Sequence, residues 1–212
     1  MNSTPLFQQM NKHFFSKQPA MKNLGVDDFA LEEKRDLAEK YLLKGQAALI
    51  KGSVKGIPFF QKALTIFGDS PQYWNNFALS LYEYGLSCAD DKALQFANRC
   101  FKYSITLNVD QYDVFFQWGC LLMELGELRE ESHFFQRAIE KFQKAIKLSE
   151  NESRPKRAEL YWQYGYCWLK ISEISGEAVD IRLAIDSIKK SELLQKNPPH
   201  DFWIDKGSAF LN

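Results

Sequence analysis

The sequence is poor in the residue types that build catalytic and metal sites. Its 212 residues include three histidines, His13, His133 and His200, and no two of them share a local metal-ligand spacing. The glycines form no Walker-type loop, no Gly-x-Ser-x-Gly and no Gly-x-Gly-x-x-Gly motif. We therefore expect no metal site, no cofactor and no enzymatic activity.

Charge and hydropathy argue against two further classes of partner. The 27 basic and 27 acidic residues balance, whereas nucleic-acid binders carry a basic excess or stripe. No apolar run reaches the length of about 18 residues that a membrane span needs, and residues 1–18 lack the apolar region of a secretory signal. Four cysteines, none in a Cys-x-x-Cys pair, favour small buried or groove-lining side chains in a reduced, cytoplasmic compartment: Cys88, Cys100, Cys120 and Cys167.

What the sequence does have is aromatic and small residues at helical spacing. Between positions 115 and 149, two successive runs place such residues on one helix face: Phe115, Trp118, Gly119 and Leu122, then Ala138, Phe142, Ala145 and Ile146. Gly119 marks a place where a neighbour packs closely, and Gly126 is predicted to end the first helix. Neither helix can bury its apolar face alone, so we expect the unit to recur.

The unit does recur along the chain. An aromatic residue followed by Gly or Ala four positions later opens further copies, with a weaker copy at the front: Trp74–Leu81, Tyr161–Trp168, Trp203–Phe210 and Tyr41–Ala48. In chain order, each of the first four copies (all except Trp203–Phe210) is followed by a small residue and, four positions later, by a large one: Gly56/Phe60, Ala97/Phe101, Ala138/Phe142 and Ala184/Ile188. In three copies the two small residues are 19 positions apart (97−78, 138−119 and 184−165).

This frame resembles the tetratricopeptide repeat, whose pattern W-x2-L-G-x2-Y…A-x3-F…P has a period of about 34 residues. The resemblance covers residue 37 to the end, and it implies an all-α fold: a right-handed α-solenoid, or superhelix, of antiparallel helix pairs. The inner gap of the family is about twelve residues. The first repeat is close to that length, whereas the later ones are expected to be longer by about two helical turns.

We predict a flexible N-terminal tail at residues 1–28 and a helical repeat domain at 29–212. The domain would hold about four helix pairs and the first helix of a fifth. The tail is either without function, or it folds back on the repeats or docks elsewhere. The last helix, Phe202–Leu211, carries apolar residues on more than one side. This favours a fragment of a longer repeat protein, with packing on another chain, for example in a homodimer, as the alternative.

In the tetratricopeptide family the first helix of each pair lines a concave groove. The resemblance therefore implies a peptide-binding groove at Leu42, Gln46, Leu49, Asn75, Leu79, Tyr82, Phe116, Met123, Trp162, Tyr166 and Leu169. Only Asn75 and Lys170 are compatible with the clamp that the family uses for a carboxylate, so binding of acidic chaperone tails is not implied. Large aromatics dominate interfaces, which makes Phe116, Trp162 and Tyr166 the expected anchors. The alternative is that these side chains pack inside the lengthened repeats or on the tail.

The function that follows is a protein-interaction adaptor or chaperone in the cytoplasm, holding an apolar peptide segment of a partner. The class II chaperones of type III secretion, which are small tetratricopeptide proteins, are one similar group. The alternative is a structural, self-associating segment of a larger repeat scaffold. We expect a protein or peptide partner and no nucleic acid.

Overall fold

The computed structural model describes residues 8, 28–176 and 178–195, which form consecutive α-helices and no strand. The helices of these ranges are α1 (Asp28–Ile50), α2 (Ile57–Ile66), α3 (Pro71–Ser87), α4 (Asp91–Leu107), α5 (Tyr112–Arg129), α6 (Ser132–Leu148), α7 (Arg154–Ser175) and α8 (Ala178–Leu194). Short 3-10 helices lie at Val54–Gly56 and Ser149–Asn151. The predicted all-α fold is confirmed. The segment Phe202–Leu211 and most of the predicted tail lie outside the described residues.

The chain divides into two compact units, Met1–Val109 and Asp110–Asn212. In the first unit α1 packs on α2 and α3, and α3 packs on α4. In the second unit each helix from α5 to α8 packs on the next. None of the helices described is long and apolar enough to cross a membrane.

The small residues of the frame are the places where paired helices touch. A Cβ atom added at Gly119 on α5 would lie 2.5 Å from the Cε1 atom of Phe142 on α6. The same construction at Gly45 meets the ring of Phe60 at 2.6 Å. Both rings are fully buried. In these pairs, the large residue of the second helix therefore packs on the small residue of the first helix. We call this small residue of the first helix the frame residue; in the four repeats it is Gly45, Ala78, Gly119 and Gly165.

The predicted helix end at Gly126 is wrong. Helix α5 continues to Arg129 and closes at Glu130, which adopts the left-handed conformation with φ 55°. Gly126 instead lets α6 approach, because a Cβ atom there would lie 2.9 Å from the Phe135 ring. In the first repeat, Gly52 follows Gly45 by the same seven positions, and it does close α1, with φ +71°.

In the second, third and fourth repeats, the first helix continues about one turn further beyond the frame residue than it does in the first repeat. Three residues with positive φ stand eleven positions after a frame residue: Ala89 (φ 51°), Glu130 (φ 55°) and Gly176 (φ +72°). The partner helices α4, α6 and α8 also begin six positions before their small residues, whereas α2 begins one position after Gly56. The extra residues of the 19-residue gaps thus lengthen both helices at the turn that joins them.

Candidate peptide-binding face

The predicted groove positions of the first unit divide into buried and half-buried side chains. Leu42 and Leu49 on α1 are 5% and 0% exposed, and Asn75 on α3 is 7% exposed. Three positions keep a part of the side chain at the surface: Gln46, Leu79 and Tyr82. The buried leucines contribute to the core of the unit, so contact with a ligand in this unit rests on the three half-buried residues.

Three aromatic residues of the predicted groove set lie in the second unit and keep part of their side chains at the surface. Met123 and Leu169 are buried, whereas Phe116, Trp162 and Tyr166 are half-buried. The three aromatics lie on α5 and α7, the first helices of the two pairs. We call them the aromatic face of the second unit.

Phe116 is held in place by other rings. Its centroid lies 6.1 Å from that of Tyr112, with the two planes nearly parallel at 3°, and 6.0 Å from that of Phe142. Phe142 packs closely on Gly119, so the Phe116 ring lies at the edge of the core against a side chain that is itself fixed. A ring that is fixed before a ligand arrives loses little entropy on binding.

Trp162 is supported by the core between α7 and α8. It packs against the cluster of Leu169, Ala184 and Ile188, as do Trp168 and Ile185. Its half-buried indole contrasts with that of Trp118, which is 4% exposed. One face of Trp162 thus supports the α7–α8 core, and part of the side chain remains accessible.

In the first helix of each pair, the residues that keep some exposure lie along one face, which we call the stripe. Positions one after the frame residue are half-buried in all four repeats: Gln46, Leu79, Cys120 and Tyr166. Positions four after it are buried in three repeats: Leu49, Met123 and Leu169. Residues spaced i, i+4 and i+7 share a helix face. The stripe therefore continues on α7 from Tyr166 to Lys170 and Glu173, and on α5 from Cys120 to Glu124 and Glu127.

This stripe leads to an open cleft of about 540 Å³ at the turn ends of the second unit. The cleft is lined by Gly126, Glu127, Glu130, Phe135, Tyr166, Lys170, Glu173 and Ile174. Tyr166 is the one residue of this lining that belongs to the predicted groove set. Lys170 was considered only as a clamp residue for a carboxylate. Sequence reasoning missed the remaining residues because they lie in the extra turns, for which the family's groove positions have no equivalent. The 19-residue spacing was the signal that those turns exist.

Carboxylates dominate the charge of the cleft. Lys170 Nζ lies 2.9 Å from Glu173 Oε2 and 5.4 Å from the centroid of the Tyr166 ring. Across the part of the chain that the structure describes, Glu127 and Glu130 form no ion pair. Burial, and then the charge of Glu127, raise the pKa of the neighbouring Glu124 carboxyl. The lining of the cleft therefore holds three carboxylates and one ammonium group beside the apolar side chain of Ile174.

The cysteines near this face behave as apolar side chains. Burial, followed by the charges of Glu159 and Glu124, raises the pKa of the Cys120 thiol to about 12. Burial also raises the pKa of Cys167. A thiol with a raised pKa stays protonated at neutral pH and is a poor nucleophile. Within the described ranges, no group of three or more His, Cys, Asp or Glu is placed to hold a metal ion.

No protein-family model and no curated protein sequence matches the chain. Solved structures do match. MamA (41-end) from Desulfovibrio magneticus RS-1 superposes with a TM-score of 0.60 and 15% identity, over 83% of this chain and 85% of that chain. PilF from Pseudomonas aeruginosa superposes with a TM-score of 0.61 and 16% identity, over 84% of this chain and 70% of that one. At such identities the likeness concerns the fold.

Proposed function

We propose that this chain, whose helix-pair fold is that of tetratricopeptide-repeat proteins, is an adaptor that binds an apolar peptide segment of a partner protein. The observation that supports the proposal is the aromatic face of the second unit. Phe116, Trp162 and Tyr166 are half-buried at positions that the repeat frame assigns to ligand contact. Aromatic anchors supply most of the binding energy of protein interfaces.

The half-buried state of these rings suits an extended or helical peptide. Each ring has a supported side and an accessible side, so a partner's aliphatic or aromatic side chain can bury area without first ordering the receptor. Leu79 and Tyr82 offer a smaller surface of the same character in the first unit. We place the adaptor in the cytoplasm, since its cysteines Cys88, Cys100, Cys120 and Cys167 are unpaired. A chaperone role, in which the bound segment is kept from aggregating, is the finer form of the proposal.

The test is capture of partners from native cell extract by the intact chain and by Phe116→Ala/Trp162→Ala. We expect a stoichiometric protein partner with the intact chain, and loss of that partner with the double variant. A partner retained equally by both would contradict the assignment of the aromatic face. Extract that yields no stoichiometric protein at all would contradict the adaptor function itself.

Trp168→Ala provides the matched control. Trp168 is half-buried on the same helix and packs against the same Leu169, Ala184 and Ile188 cluster as Trp162, but it is not a predicted groove residue. The Trp168→Ala substitution should therefore lower the free energy of unfolding about as much as Trp162→Ala and leave partner capture unchanged. Urea unfolding of all variants would show that differences in binding do not arise from differences in folding.

A further inference from the structure

We propose that the cleft at the turn ends of the second unit binds a lysine or arginine side chain of the partner peptide, next to the apolar residue that occupies the aromatic face. This rests on the proposed function in that the cation belongs to the same bound peptide. It adds a charge requirement that the aromatic face does not impose.

The cleft belongs to the residues that lengthen the repeats. At the end of α5 it is lined by Gly126, Glu127 and the closing residue Glu130, and on α7 by Tyr166, Lys170, Glu173 and Ile174. Gly126 brings Phe135 of α6 close to α5, so the ring forms a buried wall of the cleft. Its volume of about 540 Å³ lies in the range of roughly 300–1,000 Å³ that is usual for ligand sites.

The lining matches both parts of a long basic side chain. Tyr166 and Ile174 supply apolar surface for an aliphatic stem, above the buried ring of Phe135, and Ile174 is 54% exposed although it is a large apolar residue. Glu127 and Glu130 supply carboxylates for the charged head. Lysine and arginine bury their stems along apolar surface and keep the charge at a polar rim.

A cation of the chain itself already uses this chemistry. Lys170 in the cleft wall places its ammonium over the Tyr166 ring and on the carboxylate of Glu173. With one lysine against three glutamates, the lining retains a negative excess after that pair has formed. An incoming carboxylate would meet like charge, whereas an incoming cation finds Glu127 and Glu130 available.

The experiment uses two capped dipeptides as probes, acetyl-Phe-Arg-amide and acetyl-Phe-Gln-amide, titrated into the full ¹⁵N-labelled chain and followed by amide chemical shifts. We expect the arginine probe to shift the amides of Glu127, Glu130 and Ile174, and to bind about fivefold more tightly than the glutamine probe. In Glu127→Gln/Glu130→Gln this preference should fall to about one. It should also weaken as salt is raised, because the pair is open to solvent.

Glu140→Gln/Glu150→Gln is the control, since it removes the same charge from exposed positions of the same unit that do not line the cleft. It should keep the preference for arginine. Equal affinity for both probes, a preference unchanged in the cleft variant, or an absence of saturable shifts at the cleft would each overturn the proposal. These readouts need no partner protein, so they are independent of the capture experiment that tests the adaptor function.

Discussion

Replacing Gly119 by alanine should destabilise the second unit, although alanine is the better helix former. In the middle of a helix this change alone would stabilise by about 1 kcal/mol. Here the new Cβ atom would meet three atoms of the Phe142 ring at 2.5, 2.7 and 2.8 Å. The ring is fully buried, so relief requires backbone or neighbouring side chains to move, at a cost of about 3 kcal/mol. The net expectation is a loss of about 2 kcal/mol.

A double-mutant cycle with Phe142→Ala separates the two effects. Phe142→Ala should itself cost about 3–5 kcal/mol. In that background Gly119→Ala meets no ring, and it should now stabilise by about 1 kcal/mol, which gives a coupling of about 3 kcal/mol. Equilibrium unfolding in urea, followed by circular dichroism, measures each corner of the cycle. If Gly119→Ala stabilised both backgrounds equally, the frame residue would not be the contact point between paired helices.

Gly165→Ala extends the test to another repeat. There the added Cβ atom would meet Ile188 Cγ1 at 3.0 Å, and the carbonyl oxygen of Ala184 and Cβ of Ser187 at 3.1 Å, all of which are longer than the three contacts at Gly119. The loss of stability should therefore be smaller than for Gly119→Ala. A larger loss at Gly165 would contradict the ordering by contact distance.

Three further outcomes follow from single residues. Ala89→Gly should stabilise the first unit by about 1 kcal/mol, since residue 89 has φ 51° and glycine relieves the left-handed strain; a lower urea midpoint would contradict this. Ser191→Ala should cost about 1 kcal/mol, because its buried hydroxyl donates to the carbonyl of Ala158 at 2.7 Å, whereas an unchanged midpoint would show that the bond contributes nothing. Glu124→Gln tests pH dependence. Burial and Glu127 raise the pKa of Glu124 in the folded state, so its contribution to stability is fully present below the ordinary value of 4.5 and is lost as pH rises through the raised pKa. The glutamine variant should be more stable than the parent at neutral pH, and a gain that persists undiminished below that ordinary value would refute the burial argument.

The helix-pair fold could be predicted because its determinants are local and repeated. Ser70 and Asp90 directly precede α3 and α4, and their side chains accept hydrogen bonds from the first turns of these helices. Gly119 was predicted to be a place where a neighbour packs closely, and the structure shows that this neighbour is Phe142. A frame of this kind records which residues must pack closely, and close packing decides how the helices pair.

The position where a helix ends and the exposure of a side chain depend on neighbouring residues that are not part of the repeat pattern. Gly52 and Gly126 each follow a frame residue by seven positions, yet one closes a helix and the other receives the Phe135 ring. The difference is that α6 begins early enough to place Phe135 beside Gly126, whereas α2 begins only at Ile57 and the nearest atom to a Cβ atom added at Gly52 is Cys88 Sγ at 3.5 Å. Glycine supports both outcomes, since it tolerates positive φ and also leaves room for a ring.

The same dependence governs the candidate site. Tyr82 and Leu169 both lie four positions after a frame residue, but Tyr82 is half-buried, whereas Leu169 is buried against Ala184 and Ile188. Groove positions carried over from a family with shorter helices therefore do not determine which of these residues are exposed. The cleft illustrates the point most strongly, because every lining residue except Tyr166 and Lys170 lies beyond the family's register. Lengthening a helix pair by a turn creates new surface at the turn end, and in the second unit that surface is acidic and apolar at once.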